Sequence, residues 1–249
     1  MSRSRPSREE RLPPVRATEA ALNMVRQNAP RELVSTKRWI AWDGTRNEVG
    51  KIKKTPFDPN TGRHARTNDP QTWATFEKAA AFALRDNRME GVGFVLTKSD
   101  YWALDLDHVI DPKSGAANAA TVEFLAAVGS AYVERSPSGD GLHVVFAKAR
   151  PAGLRKTTAD NAFGDGTKLE VFGGRSAHYL TITGNIWEFG AMQPASAGAI
   201  SAVASKFPAE LRSAPPKEVA PSAELAVEAR RVRRALRHVP SDDYDNWIR

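Results

Sequence analysis

Between positions 91 and 183 the apolar residues come in short runs, and most of those runs end on turn-forming residues. Residues 92–96, 101–106, 131–134, 142–146, 168–172 and 179–183 are each four to six residues long, which is strand length. Lys98-Ser99-Asp100 separates the first two and reads as a hairpin turn. Ser136-Pro137-Ser138-Gly139-Asp140-Gly141 separates the third and fourth, and Gly173-Gly174 lies between the last two. One helical stretch interrupts them, residues 117–129, carrying Val122, Leu125, Ala126 and Val128. Residues 148–167 read as a basic, glycine-containing loop. Strands that outnumber helices and are joined mostly by turns make the fold α+β, with a largely antiparallel sheet.

A smaller α/β part precedes this sheet. Thr18 is placed to cap a helix over 19–28, which Pro30 stops. Trp39-Ile40-Ala41-Trp42 reads as a strand, Asp43-Gly44 as a turn and Lys51-Ile52-Lys53-Lys54 as the returning strand. Residues 55–71 are loop. Thr72 then opens a helix in which Trp73, Phe76, Ala80 and Leu84 share a face. The expected division is a disordered basic tail over 1–17, a domain over 18–204, a linker over 205–222 and the start of a helical module over 223–249. That last stretch ends on Tyr244, Trp247 and Ile248, apolar side chains with little chain left to pack against. The chain is therefore read as the N-terminal piece of something longer.

Composition narrows the chemistry. Cysteine is absent, which excludes disulfides, a thiol nucleophile, iron–sulfur clusters and thiolate zinc sites. The net charge of +7 suits an anionic partner. No apolar run is long enough to span a membrane, and the N-terminus lacks the apolar core of a secretory signal. A cytoplasmic protein is expected.

Ala103-Leu104-Asp105-Leu106-Asp107 is the segment richest in chemical meaning. Side chains alternate along a strand, so Asp105 and Asp107 share a face with Cα atoms roughly 6.5–7 Å apart, at about 3.3 Å rise per residue. Carboxylates that close repel unless a cation lies between them. Hard cations such as Mg²⁺ take carboxylate and phosphate oxygens. An Asp-x-Asp pair alone is often a pair of solvated carboxylates, and Asp243-Tyr244-Asp245 is a second one in a polar stretch. The apolar flanks distinguish the first, because a charged pair in a half-buried strand calls for a partner.

Two further segments bear on the same chemistry. In Ser138-Gly139-Asp140-Gly141-Leu142-His143 the glycines let backbone N–H groups approach an anion, with Ser138 and His143 as side-chain donors. The same residues also read as a plain glycine-rich hairpin with a histidine satisfied in the fold. Glu170 is the lone acid in Leu169-Glu170-Val171-Phe172, either an edge-strand charge or a third metal ligand. Arg175 follows in Gly173-Gly174-Arg175, and its planar fork suits phosphate, or it is a surface charge. Lys53, Lys54, Arg63, Arg66 and the segment 150–156 add basic loops able to follow a nucleic-acid backbone, with Trp39, Trp42 and Trp73 available for base stacking if exposed, or otherwise core.

In order, Gly91-Val92-Gly93-Phe94-Val95, Asp105-Leu106-Asp107, Ser138-Gly139-Asp140-Gly141-Leu142-His143 and Glu170-Val171-Phe172 resemble the primase-polymerases of the archaeo-eukaryotic primase superfamily, in their phage, plasmid and integrated-element form. Trp39-Ile40-Ala41-Trp42, Lys54-Thr55-Pro56-Phe57-Asp58-Pro59, Asp69-Pro70 with Thr72-Trp73 and Phe76, and Thr181-Ile182-Thr183-Gly184-Asn185 are similar to other parts of that domain. The resemblance covers about residues 33–190. Leu236 with Val239-Pro240-Ser241-Asp242-Asp243-Tyr244-Asp245 and Trp247-Ile248 looks like the opening of the helical primase C-terminal module that often precedes a helicase domain.

The resemblance implies an RRM-like catalytic sheet beside a smaller α/β half. It implies two divalent ions, Mg²⁺ or Mn²⁺, held by Asp105 and Asp107 with Glu170 as third acid, where the superfamily often has Asp. Ser138, Gly139, Gly141 and His143 would hold the triphosphate, with Arg175 a further candidate. No zinc is expected. The implied activity is template-dependent nucleotidyl transfer, as primase, DNA polymerase or both, during replication of a phage, plasmid or integrated element. Its partners would be single-stranded template, primer, NTP or dNTP, and a helicase domain in the same chain or in trans. The alternative is a non-catalytic nucleic-acid-binding module of a replication protein. A nicking relaxase would use a His-x-His pair, and no two of the five histidines stand two apart.

Overall fold

The central strand is the one that carries the aspartates. A computed structural model describes residues 16–46, 52–151, 154, 157–188 and 190–207. The tail over 1–15, all but the first three residues of the 205–222 linker, and the 223–249 segment lie outside them. In chain order the elements are α1 (Glu19–Asn28), α2 (Arg31–Val34), β1 (Trp39–Arg46), β2 (Ile52–Phe57), α3 (Phe76–Arg85), β3 (Gly91–Val95), β4 (Tyr101–Asp107) and α4 (Ala119–Val128). There follow β5 (Tyr132–Arg135), β6 (Leu142–Ala147), β7 (Thr158–Asp160), β8 (Lys168–Gly173), β9 (Tyr179–Ile182), β10 (Ile186–Glu188) and α5 (Ala197–Ser205). The fold is α+β, built on two antiparallel sheets.

The smaller sheet has the order β2-β1-β3-β9, and the larger β10-β5-β6-β4-β8-β7. Both β4 and β5 run antiparallel to β6, so β4 and β5 are mutually parallel. Only a crossover can join them, and α4 supplies it. β4 thus sits inside its sheet, paired with β6 on one side and β8 on the other.

The period-2 pattern of β4 sorts two cores. Trp102, Leu104 and Leu106 point to one face, where α4 and α5 cover them with Phe124, Leu125, Val128 and Val203. Trp102 stacks on Phe146 at 4.3 Å. Ala103 points to the opposite face with Tyr132, Val145 and Phe172, against Phe94, Leu96 and Leu180 near the smaller sheet. The larger sheet is therefore apolar on both faces along this row, and polar only beyond it.

The helices begin where their caps are. Thr18 Oγ1 accepts from the Ala21 amide at the start of α1, as expected from the sequence. α3 begins later than expected. Thr75 is its N-cap, while Pro70–Thr72 form a short 3₁₀ turn capped by Asp69, because Trp73 is drawn into the core and its backbone cannot continue a helix there. On α4 the buried face is Thr121, Phe124, Leu125 and Val128, and Val122 is exposed rather than buried.

The hairpin expected at Lys98-Ser99-Asp100 is not a hairpin: β3 and β4 belong to different sheets, as do β8 and β9, the strands around Gly173-Gly174. The guanidinium of Arg38 donates to the carbonyls of Val95, Thr97 and Lys98, and Lys98 takes φ 52°, which turns the chain from one sheet to the other. Gly173 does the same at the second crossing, with φ 113°. A Cβ there would stand 2.8 Å from that of Trp102. The loop after β6 contains β7, and β10 and α5 are further elements that the sequence pattern did not single out. Trp39, Trp42 and Trp73 are core, each no more than 4% exposed, so none is available for stacking on a base.

Candidate active site

The site follows from strand register. Across the larger sheet Glu134 pairs with His143, His143 with Asp105, Asp105 with Glu170, and Glu170 with Thr158. Residues paired directly across strands share a face. These five side chains therefore form one polar row, next to the apolar row Tyr132, Val145, Ala103 and Phe172. One step further along β4, Asp107 pairs with Lys168, which pairs with Asp160. Asp105, Asp107 and Glu170, far apart in sequence, thus stand on adjacent strands of one face.

That face opens into a cleft of about 930 Å³ between the two sheets. Asp105, Asp107, Lys168 and Glu170 line it from the larger sheet, Lys54 and 179–181 from the smaller, and Ser138 and Asp140 from the β5–β6 turn. The Tyr179 and Thr181 hydroxyls in its wall are buried without a hydrogen-bond partner among the described residues. So is Asp105 Oδ1.

Electrostatics in the cleft are unbalanced. Burial, and then the nearby Asp105 carboxylate, push the Asp107 pKa above the usual carboxylate range. Lys168 Nζ lies 3.0 Å from Glu170 Oε1, and although burial alone would lower the Lys168 pKa, this bond and the surrounding acids raise it. Lys168 acts here as a built-in counter-ion. Oxygen donors of this kind suit Mg²⁺ or Mn²⁺, not soft metals. The strained acid pair, lining one cleft, fits such an ion. Among the described residues no three His, Asp or Glu side chains gather closely enough to hold one unaided. A bound ion would therefore complete its shell with phosphate oxygens or water.

The glycine-rich turn is tightly built. Ser138 Oγ donates to Asp140 Oδ1, and the other Asp140 oxygen lies 2.7 Å from His108 Nδ1. Burial opposes ionisation of Asp140, but the bonds from Ser138 and His108 prevail and lower its pKa. Gly139 has φ 84°, and its N–H donates to Ser136 O within the turn. A Cβ on Gly141 would stand 2.7 Å from Leu106 O, so glycine lets the turn lie directly on β4. Ser138 reaches the cleft; Gly139 and Gly141 do not line it. Arg175 is exposed and lies outside the lining.

His143 is fully buried behind the cleft wall. Its Nδ1 lies 3.0 Å from Glu134 Oε1, and its Nε2 faces Asp105 Oδ1 at 3.7 Å. Glu134, Lys168 and Asp140 were not singled out from sequence as site residues. Lys168 was legible in principle, since it lies two positions before Glu170 and so on the same strand face.

No family model matches the chain. A DNA primase-polymerase of Nitratiruptor phage NrS-1 is 38% identical to it over 152 residues, which are 61% of this chain and 20% of that protein. The chain thus spans about a fifth of the length of this relative. No helix among the described residues is long and apolar enough to cross a membrane. The likeness read from the ordered motifs is met by this direct likeness in sequence: over those 152 residues the chain is similar to a phage primase-polymerase.

Proposed function

We propose that the domain over 18–204 is a template-dependent nucleotidyltransferase that makes or extends primers during replication of a phage, plasmid or integrated element. The observation that carries this reading is the polar row that brings Asp105 and Glu170 beside Asp107 in one cleft. Divalent ions bound there would supply charge neutralisation for a triphosphate and activation of a primer 3′-hydroxyl. Asp105, Asp107 and Glu170 are the residues to hold them, Mg²⁺ or Mn²⁺ being the expected ions. Ser138, on the turn that Gly139 and Gly141 shape, lines the cleft and would donate to the triphosphate by exchanging its bond to Asp140, and Lys168 and Lys54 add positive charge in the same cleft. His143 meets the cleft through Asp105 rather than by its own exposure. Arg175, exposed near the cleft-lining strand β9, is a candidate for phosphate at the rim. The chain's share of the chemistry is positioning, since the acids sit on interior strands that fix them.

Template strand, primer and nucleoside triphosphates are the partners this reading requires, with a helicase domain in the same protein or in trans. The test is primer extension by the Asp105→Asn/Asp107→Asn double variant with Mg²⁺ or Mn²⁺. Loss of incorporation to background is expected, at unchanged helix and sheet content. Retained incorporation refutes the assignment. Salt-sensitive DNA binding by wild type with no synthesis would favour a binding module instead.

A further inference from the structure

The most completely buried charged group of the described residues belongs to no part of the mechanism above. Glu134 is 0% exposed and sits one strand behind His143. Its carboxylate accepts from the Tyr132 hydroxyl at 2.7 Å and from the Gly184 amide at 2.8 Å. The Thr183 amide reaches both of its oxygens, at 3.0 and 3.1 Å. Every one of these partners is a donor. The carboxylate is an acceptor throughout, and His143 meets it with its Nδ1–H. The imidazole ring is thereby fixed in orientation, with Nε2 turned to Asp105 Oδ1. Both of those atoms are buried, and neither has a hydrogen-bond partner among the described residues.

Resting on the metal-dependent reading of the cleft, we infer that Glu134 is a positioning residue that sets the geometry of Asp105 through His143. Five donor contacts clamp one buried carboxylate to β5, β6 and the turn after β9. That clamp leaves the imidazole a single orientation. The imidazole in turn stands 3.7 Å from one oxygen of Asp105, a packing contact that limits how that carboxylate can turn and leaves the other oxygen to the cleft. Groups one step behind a ligand commonly change metal affinity 10–100-fold when removed, because they hold the ligand's orientation. The ladder register makes this possible, since Glu134, His143 and Asp105 are consecutive members of one cross-strand row.

The probe is Mn²⁺ alone, titrated into the full chain and followed by electron paramagnetic resonance, with circular dichroism reporting the fold. Glu134→Gln places an amide N–H₂ against donors on every side. Its Mn²⁺ affinity is expected to fall about tenfold, while Asp105→Asn falls at least as far. His143→Asn retains a donor toward Glu134 but loses the contact with Asp105, and is expected to match Glu134→Gln. Combining the two is expected to cost no more than either alone, as members of one chain of contacts do. A folded Glu134→Gln with Mn²⁺ affinity within twofold of wild type, beside a weakened Asp105→Asn, overturns the positioning role and leaves the metal reading standing. An unaffected Asp105→Asn overturns the metal reading and this inference together. If Glu134→Gln does not fold, the wild type decides: a slowly exchanging, nitrogen-bound Nδ1 proton on His143 is expected, and a bare Nδ1 overturns the assignment.

Discussion

Replacing Asp107 by asparagine is expected to stabilise the protein in the absence of divalent ions while removing its proposed activity. Asp105 and Asp107 lie two positions apart on one strand face, roughly 6.5–7 Å between Cα atoms. Two unit charges at that separation repel by about 2.5 kcal/mol at an effective dielectric near 20. Lys168, paired with Asp107 across the sheet, offsets part of this, and the Asp107 side chain is half-exposed, so solvent screens more. A net gain of about 1 kcal/mol remains, which for a domain of this size is a rise in Tm of roughly 2–4 °C. The sign follows from the pKa of Asp107, raised by burial and then by Asp105. A carboxyl with a raised folded-state pKa favours folding below its unfolded value, near ~3.9, and becomes a cost as pH rises through the folded value. Asparagine does not titrate, so the advantage of Asp107→Asn is largest at neutral pH and fades toward the unfolded Asp value. The assay is thermal unfolding in excess chelator at pH 7 and near pH 4. No rise in Tm at pH 7, or a rise of the same size at both pH values, would refute the argument that the acids strain one another.

Three other perturbations probe the frame around the site. Trp102→Ala removes a side chain that is 1% exposed and stacked on Phe146, and is expected to cost about 3–5 kcal/mol in a urea titration. Gly173→Ala forces a side chain onto φ 113° and into Trp102, with an expected loss of about 1–3 kcal/mol by the same titration. Asp140→Ala removes the acceptor for Ser138 and His108, whose pair with Asp140 is largely solvent-exposed, so the loss at pH 7 is expected to stay within about 1 kcal/mol. Because the folded-state pKa of Asp140 is lowered, that contribution is present above the unfolded Asp value and is lost as pH falls through the folded one. The stability gap between wild type and Asp140→Ala therefore closes in acid.

Local signals carried the elements well where local physics decides them. The Thr18 cap, the β5–β6 hairpin and the face shared by Asp105 and Asp107 all depend on residues within a few positions of each other. Sheet membership does not. Lys98-Ser99-Asp100 reads as a hairpin turn and Gly173-Gly174 as a link between two strands, yet each passes the chain to the other sheet, because Arg38 and Trp102, distant in sequence, determine where the backbone goes. β7 and β10 are three residues each, too short for periodicity to register. Glu134 was read only as the end of a strand. Its role rests on amides of Thr183 and Gly184, some fifty residues away, which no spacing rule anticipates.

The same register that brings the acids together also sets how far each stands from water. On β4 the cleft-side face passes from Ala103, sealed at 0% exposure, to Asp105 with a side chain 13% exposed, and on to Asp107 at the cleft. The two sheets meet at the Ala103 row, so the cleft starts where that contact ends. A carboxylate one row deeper would be enclosed without water and would be driven neutral. One row further out it would be solvated and free to turn. At Asp105 the backbone is held on both sides by β6 and β8, while Oδ1, buried beside His143, has no hydrogen-bond partner among the described residues. Shifting β4 by a single residue would move Leu104 and Leu106 to the cleft and bury both aspartates under α4 and α5. The apolar residues of that strand therefore fix the acids as firmly as any contact the acids make themselves.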